Sequence, residues 1–412
     1  MLKFPQTLEE MESLLLAPPP LEERTVVFNA SFARTGGEKL LAEASIVQWL
    51  ATWTQDLHGR VLIEPFTPDL ASDTLKRISM TLPGALLGML DDQALIDIPR
   101  SALARYKDAF FKQQRSWPDL NVQDRASLLC LDNVPPTIGL PLQLYPVGHA
   151  NRVASREQFE NLVDKLIRAV TAEENIRGAI NDHRDRLTTI LHELFKNTHD
   201  HARTTVDMRA LPLSIRGPYA RFYTAEELAY TAPPKKEDKE GNEIFPDLNQ
   251  AERYASYFVR AKVAPAKRIK AGDPPRFLGL LELSVFDTGP GFAATYLKNK
   301  FSGSSVQDQF DAVLGCFSTG RSSTSDPSRG YGLWKVLRDL RELKGFIRVR
   351  TNRIHVYRDF AWYTDMFMQS DIVAPEERMM DWRRGITQKI SDDYGDMRGA
   401  HVTVLIPLGD NL

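Results

Sequence analysis

Glu193 and Asn197 stand four residues apart in the stretch LHELFKNTHDHA, residues 191–202. At that spacing two side chains share one helix face. A carboxylate there can take a proton from water, and a carboxamide one turn on can offer its oxygen to a cation or a polar ligand. Leu187, Ile190, Leu191 and Leu194 follow the i, i+3, i+4, i+7 pattern on a second face. The helix is therefore expected to bury that seam and to present the polar pair at its edge. A solvated polar edge has the same pattern, so the pair alone does not decide the matter. His199 and His201 have a metal-like look, but an i, i+2 pair on a helix does not converge on one ion. Both are expected to be structural.

Asp287 ends a long apolar run, LGLLELSVFDTGPGF, residues 278–292, and is followed by Gly289 and Gly291. A strand closing on a lone carboxylate can accept a hydrogen bond from an exocyclic amine, and glycines allow close approach by a flat ring. Many ordinary D-x-G turns look alike. A third stretch, FSTGRSSTSDPSRGYGLWKVLRDL, residues 317–340, passes from a Ser/Thr/Gly region through Gly330 and Gly332 into an amphipathic pattern. Glycines at a helix start leave backbone N–H groups free at the positive end of the dipole, which suits a phosphate. Gly320, Arg321 and Arg329 precede them and extend the candidate bed. The alternative is a plain loop with a glycine entry into a helix.

The elements that must position these residues can be read along the chain. Thr7 and Glu10 form a capping box before MESLLLA, and PPP at 18–20 ends that helix. Strands are expected at 25–32, 60–66 and 126–132, and helices at 38–53, 72–90 and 101–114. Residues 1–150 form an α/β or α+β domain of unknown role, with Asp56 and His58 as turn residues before Gly59. A long helix is expected over 156–176, then the helix carrying Glu193. The run PPKKEDKEGNE, 233–243, reads as a solvated loop.

The bulk numbers exclude some classes. Hydrophobic content of 42% with 26% charged residues fits a packed fold, and a net charge of −2 gives no overall basic footprint for nucleic acid. Cys130 and Cys316 are far apart and suggest neither a disulfide framework nor a cysteine metal site. No apolar run reaches the roughly 20 residues needed to span a membrane, and the first 20 residues lack the layout of a secretion signal. The expected location is cytoplasmic.

The three motifs come in one order: E-x-x-x-N on a helix, D-x-G-x-G after a strand, then a loop and G-x-G before a helix. Here the chain resembles the GHKL nucleotide-binding superfamily, which includes gyrase, the ninety-kilodalton heat-shock chaperone, histidine kinases and the MutL mismatch-repair proteins. The likeness spans roughly residues 180–408. RLTTILHELFKNTHDHA resembles the family's N box, DTGPGF its first glycine box and RGYGL its second. LKGFIRVRTN (343–352) and GAHVTVLIPL (399–408) resemble its last two strands.

The resemblance implies a Bergerat-type two-layer α/β sandwich, a mixed sheet backed by helices, over 151–412 after the N-terminal domain. It implies ATP and Mg²⁺ as ligands. Asn197 would hold the metal and Asp287 the adenine amine, with Gly289 and Gly291 lining the base. Gly330 and Gly332 would meet the phosphates, with 315–329 as a lid. Glu193 would be the general base for the attacking water. Asp200, three after Asn197, is common in the gyrase-like and chaperone-like members and leans toward hydrolysis.

Some features depart from the family. His183 lies too close to the N box to serve as a kinase phosphoacceptor. Gly399-Ala400 stands where Gly-Thr is frequent, and Trp334 where a small residue is frequent. Two insertions are expected, at about 209–278 and 354–398, the second rich in aromatics and suited either to a private core or to a partner surface. The reading is an ATP-binding protein, a slow Mg²⁺-dependent ATPase whose nucleotide state switches contact with a protein partner or a second copy. The alternatives are a protein kinase acting in trans and a nucleotide-gated adaptor without turnover.

Overall fold

The computed structural model describes residues 1–29, 40–64, 86, 94–96, 111, 114, 125–146, 148–211, 213–231, 236–237, 243–244, 248–263, 277–318, 331–361, 379–385, 390 and 394–409. The chain opens with strand β1 (Leu2–Lys3) and helix α1 (Leu8–Leu16). The Glu10 N–H donates to Thr7 Oγ1 at 3.1 Å, and the Thr7 N–H donates to the Glu10 carboxylate at 3.2 Å. The expected capping box is thus in place. β2 (Thr25–Asn29), α2 (Ala42–Gln55) and β3 (Arg60–Glu64) form a β-α-β unit. With β1 and β4 (Leu95–Ile96) they make a parallel sheet in the order β1-β2-β3-β4. The helices expected at 72–90 and 101–114 lie outside the described residues, apart from Leu86, Phe111 and Gln114.

The strand expected at 126–132 is two short strands, β5 (Arg125–Ser127) and β6 (Cys130–Leu131). Both pair with β7 (Ile215–Thr224), so residues 125–131 belong to the second, larger sheet. The helix expected over 156–176 is broken. α3 (Arg156–Val170) stops at an extended Thr171, and a separate helix runs from Glu174 to Asn181. Next come α4 (Arg184–His201), β8 (Phe277–Asp287), α5 (Val306–Phe317), α6 (Gly332–Glu342), β9 (Phe346–Asn352), β10 (Ile354–Asp359), β11 (Met380–Asp381) and β12 (Met397–Gly409).

The larger sheet runs β11-β10-β9-β12-β8-β7-β5, with β6 also on β7. Every described pairing in it is antiparallel, where a mixed sheet was expected. β7 lies inside the stretch 209–278 and β10 and β11 inside 354–398, so both stretches contribute strands to this sheet.

Side chains alternate across this sheet. Leu281, Leu283 and Val285 of β8 join a core with α3, α4, α5 and α6. Leu280 and Phe286 face the other way, where α2 lies against β12 and β8. Helices therefore cover both faces of the sheet, not one. The second face is polar yet sealed: Arg350, His355 and His401 are each 0% exposed, and burial keeps the two histidines neutral. Arg350 grips Glu12 of α1 with two bonds of 2.6 and 3.0 Å, and Gln48 of α2 donates to the Arg350 carbonyl at 2.9 Å. Arg348 donates to Ser45 of α2 at 3.0 Å and to His355 Nε2 at 2.7 Å. Buried charges are costly unless paired. Here the N-terminal helices supply the partners, so they complete the sheet.

Candidate functional site

α4 organises the site. Leu187, Ile190, Leu191 and Leu194 are buried, as their spacing predicts, and the opposite edge carries Glu193 and Asn197. Asn197 is half-buried, and its carboxamide makes no hydrogen bond among the described residues. Glu193 is 20% exposed at its side chain, with Lys335 Nζ 3.9 Å and His192 Nδ1 3.8 Å from Oε1. These are electrostatic separations, too long for hydrogen bonds. Burial pushes the Glu193 carboxyl upward, but His192, then Lys335 and Lys196, outweigh it and hold the group below the ordinary glutamate value. It is a carboxylate at neutral pH.

Asp287 is the last residue of β8, between Ala400 of β12 and Arg216 of β7 in register. It lies on the face that meets α4, in step with Leu283 and Val285. Its Oδ1 accepts from Gly289 N at 2.9 Å and from Ala400 N at 3.1 Å. Its Oδ2 has no hydrogen bond among the described residues and is not sealed from solvent. Burial pushes this carboxyl up to about 7, against the pull of the two amides and of the Arg216 charge. One oxygen is thus fixed and the other is free to meet a donor.

The glycines explain how the motifs fit. A Cβ on Gly289 would lie 2.6 Å from Cα of Ala202, just beyond α4. A Cβ on Gly332, the first residue of α6, would lie 2.5 Å from Glu193 Oε2. The two glycine motifs therefore press on the same helix, one at its end and one at Glu193. Gly291 has φ +86°, and its Cβ would meet Thr351 and Asn352 side-chain oxygens at 2.6 Å. Its need is for the left-handed turn and the tight packing against β9.

Gly320, Arg329 and Gly330 lie outside the described residues, as does most of the expected lid. Residues 315–317 of that stretch form the last turn of α5, and Phe317 is fully buried. His199 is held by two neighbours. Tyr145 Oη lies 3.0 Å from its Nδ1, and its Nε2 donates to the Asn151 carbonyl at 3.2 Å. Burial, with Arg216 and Arg203 nearby, lowers its pKa to about 4, so it is neutral. Asp200 pairs with Lys196 at 2.5 Å, one turn away on the same helix.

Sequence reasoning missed several supports. Thr288 is fully buried; its hydroxyl donates to the Leu213 carbonyl and accepts from Ile215 N, both at 2.9 Å. This ties the Asp287 turn to the start of β7. Thr351 Oγ1 accepts from Phe292 N at 3.0 Å and donates to the Gly399 carbonyl at 2.9 Å. Arg216, beside Asp287, is itself held by Asp132 through two bonds of 2.8 Å. The glycine at 399 was the one visible signal: its φ is +74°, and a Cβ there would meet the Asp287 carbonyl oxygen at 1.9 Å.

Among the described residues no group of three or more His, Cys, Asp or Glu side chains could hold an ion. Mg²⁺ in nucleotide sites takes few protein ligands besides phosphates and waters, and the unpaired Asn197 carboxamide suits that role. Among the described residues no helix is long and apolar enough to cross a membrane. No family model, no curated protein and no solved structure matches the chain.

Proposed function

We propose that the chain is a GHKL-type protein that binds ATP with Mg²⁺ in a Bergerat-like site and hydrolyses it slowly. One observation carries this reading. Gly332 meets α4 at Glu193, and Gly289 meets Ala202 just past its end, with Asp287 bonded to the Gly289 amide beside that second contact. From Glu193 to Ala202 a helix rises about 14 Å at 1.5 Å per residue, comparable to an extended nucleoside triphosphate. Asp287 Oδ2 would accept from the adenine amine at one end. At the other, the N-terminal N–H groups of α6 would meet the phosphates. Asn197, lying between, would hold the cation, which when bound neutralises charge on the phosphates. Glu193 would orient the attacking water and take its proton.

A second reading, a nucleotide-gated adaptor without turnover, is favoured by the groups around Glu193. His192, Lys335 and Lys196 lower its basicity, and a weaker base abstracts a proton less readily.

Calorimetry with Mg²⁺-ATP and with adenosine, beside phosphate release, tests the proposal. Wild type is expected to bind both. Asp287→Asn should lose both, by roughly 1–3 kcal/mol for the unmatched polar contact. Asn197→Ala should lose Mg²⁺-ATP affinity only. Equal ATP affinity in wild type and Asp287→Asn would sink the site assignment. Binding without phosphate release would favour the adaptor.

A further inference from the structure

This inference rests on the nucleotide reading and concerns what holds its base-recognising end. Asp287 receives the Ala400 N–H from β12. Just before that point the β9–β12 ladder breaks. Thr351 pairs with Ala400, but Asn352 pairs with Met397. Residues 398 and 399 are therefore surplus on β12, a bulge whose conformation the ladder itself does not fix.

Something else fixes it, and it comes from the N-terminal layer. The Arg398 N–H donates to Thr52 Oγ1 of α2 at 3.0 Å. The Arg398 guanidinium holds the Asp56 carboxylate, at the end of α2, with two bonds, the Nε bond being 3.0 Å. Upstream, Gly395 is pressed on α1: its Cβ would lie 2.8 Å from Leu15 Cβ. The Gly395 carbonyl accepts from Arg350 Nη2 at 2.7 Å, on the guanidinium that grips Glu12. Gly399 then passes over the Asp287 carbonyl in its left-handed turn.

We propose that Arg398 is a positioning residue for nucleotide-base recognition: Asp56 and Thr52 grip it so that the 398–399 bulge delivers the Ala400 amide to Asp287. The β-α-β unit is then part of the site, and a shift of α2 changes base affinity although α2 touches no ligand. The ion pair is partly exposed, 20% at Arg398 and 40% at Asp56. Such pairs contribute little to overall stability, so cutting this one is expected to leave the fold intact.

The test has a readout that a purely structural role would not move. The environment of Asp287 is burial, the Gly289 and Ala400 amides and the charge of Arg216, which is itself paired with Asp132. Losing the Ala400 bond removes one of the interactions that favour the ionised form. Arg398→Ala and Asp56→Ala should therefore raise the titration midpoint of Asp287, followed by carboxyl carbon NMR in the ligand-free full chain and assigned with Asp287→Asn. Adenosine affinity should fall roughly two- to tenfold, the effect of one lost hydrogen bond. The charge-swapped pair Asp56→Arg with Arg398→Asp should restore both. Should Arg398→Ala fail to fold, Arg398→Lys and Asp56→Asn carry the same comparison.

An unmoved Asp287 midpoint in folded variants overturns the positioning role, whatever nucleotide does. A moved midpoint in a protein that binds no adenosine sustains the contact and sinks the nucleotide reading instead.

Discussion

Gly332 sits over the Glu193 carboxylate with no room between them for a methyl group: its Cβ would be 2.5 Å from Oε2 and 3.3 Å from Cδ. The helix that would receive phosphates thus rests on the residue that would activate water. Gly332→Ala must displace one or the other. The expected result is turnover reduced by up to about 10²-fold, the effect of a misplacement near 1 Å, with adenosine affinity unchanged. Single-turnover phosphate release beside adenosine calorimetry checks it. An alanine variant with wild-type turnover would mean that Glu193 moves aside without consequence.

Glu193→Gln keeps the size and removes the basicity. Turnover should fall by about 10²–10⁴-fold while Mg²⁺-ATP affinity persists. The carboxyl is held below its ordinary value despite burial by His192, Lys335 and Lys196. Its ionised form therefore persists to lower pH than a free glutamate allows. Lys335→Met removes one of those two lysine charges and should move the acid limb of the rate profile upward. A limb that stays in place would show that Lys335 does not act on the base.

Asp287 makes the ligand-free fold less stable as pH rises. Its folded pKa, about 7, lies above its ordinary value of 3.8 because burial disfavours the charge. Between those values the folded state binds more protons than the unfolded state, so stability falls as pH increases. The loss is on the order of 4 kcal/mol across that window. Asp287→Asn should remove this slope and melt higher than wild type at pH 8. The proposed base binding should run the other way: adenosine affinity should rise through pH 7 as the acceptor form appears. Urea titrations from pH 4 to 8 on both proteins settle the first point, and parallel melting of the two would count against it.

Much of this arrangement was legible in the sequence, and the exceptions have physical causes. The seam on α4 announced itself because one face of that helix is buried, and the apolar run of β8 because both faces of that strand are. β7 escaped notice because IRGPYARFYT carries two buried arginines, Arg216 and Arg221, and an internal Gly-Pro. Arginines inside a strand signal exposure unless their partners are known, and Asp132 lies far away in sequence. Gly217 is forced by Leu128, whose carbonyl oxygen would lie 1.9 Å from a Cβ there. The role of α2 was invisible for the same reason: its partners, Arg350 and Arg398, come some 300 residues later. The polar pair Glu193 and Asn197 could be placed on one face, but only the glycine contacts show what lies over it.

Glu12→Ala should destabilise the whole chain. It removes the partner of a guanidinium that is fully buried, and breaking a buried pair typically costs about 3–5 kcal/mol. Burial works to raise the Glu12 carboxyl, yet Arg350 and His355 hold it far below its ordinary value. The stability it supplies is therefore present above the unfolded glutamate pKa and is lost as pH falls below it. Wild type should lose stability in acid more steeply than Glu12→Ala. Chemical denaturation at pH 7 and pH 3 provides the comparison; a variant as stable as wild type at pH 7 would remove the pair from the account.

β12, the last of the described strands in chain order, lies between β9 and β8. A ribosome therefore delivers both neighbours before the strand that joins them. Until β12 arrives, the sheet is two separate leaves, each with an open edge, and Asp287 has no Ala400 amide to meet. Pairing across such distances in sequence is slow to form, and open edges invite pairing with another chain. The newborn protein is therefore expected to expose unpaired strand edges at that stage, and a chaperone or a cool expression temperature should raise its soluble yield.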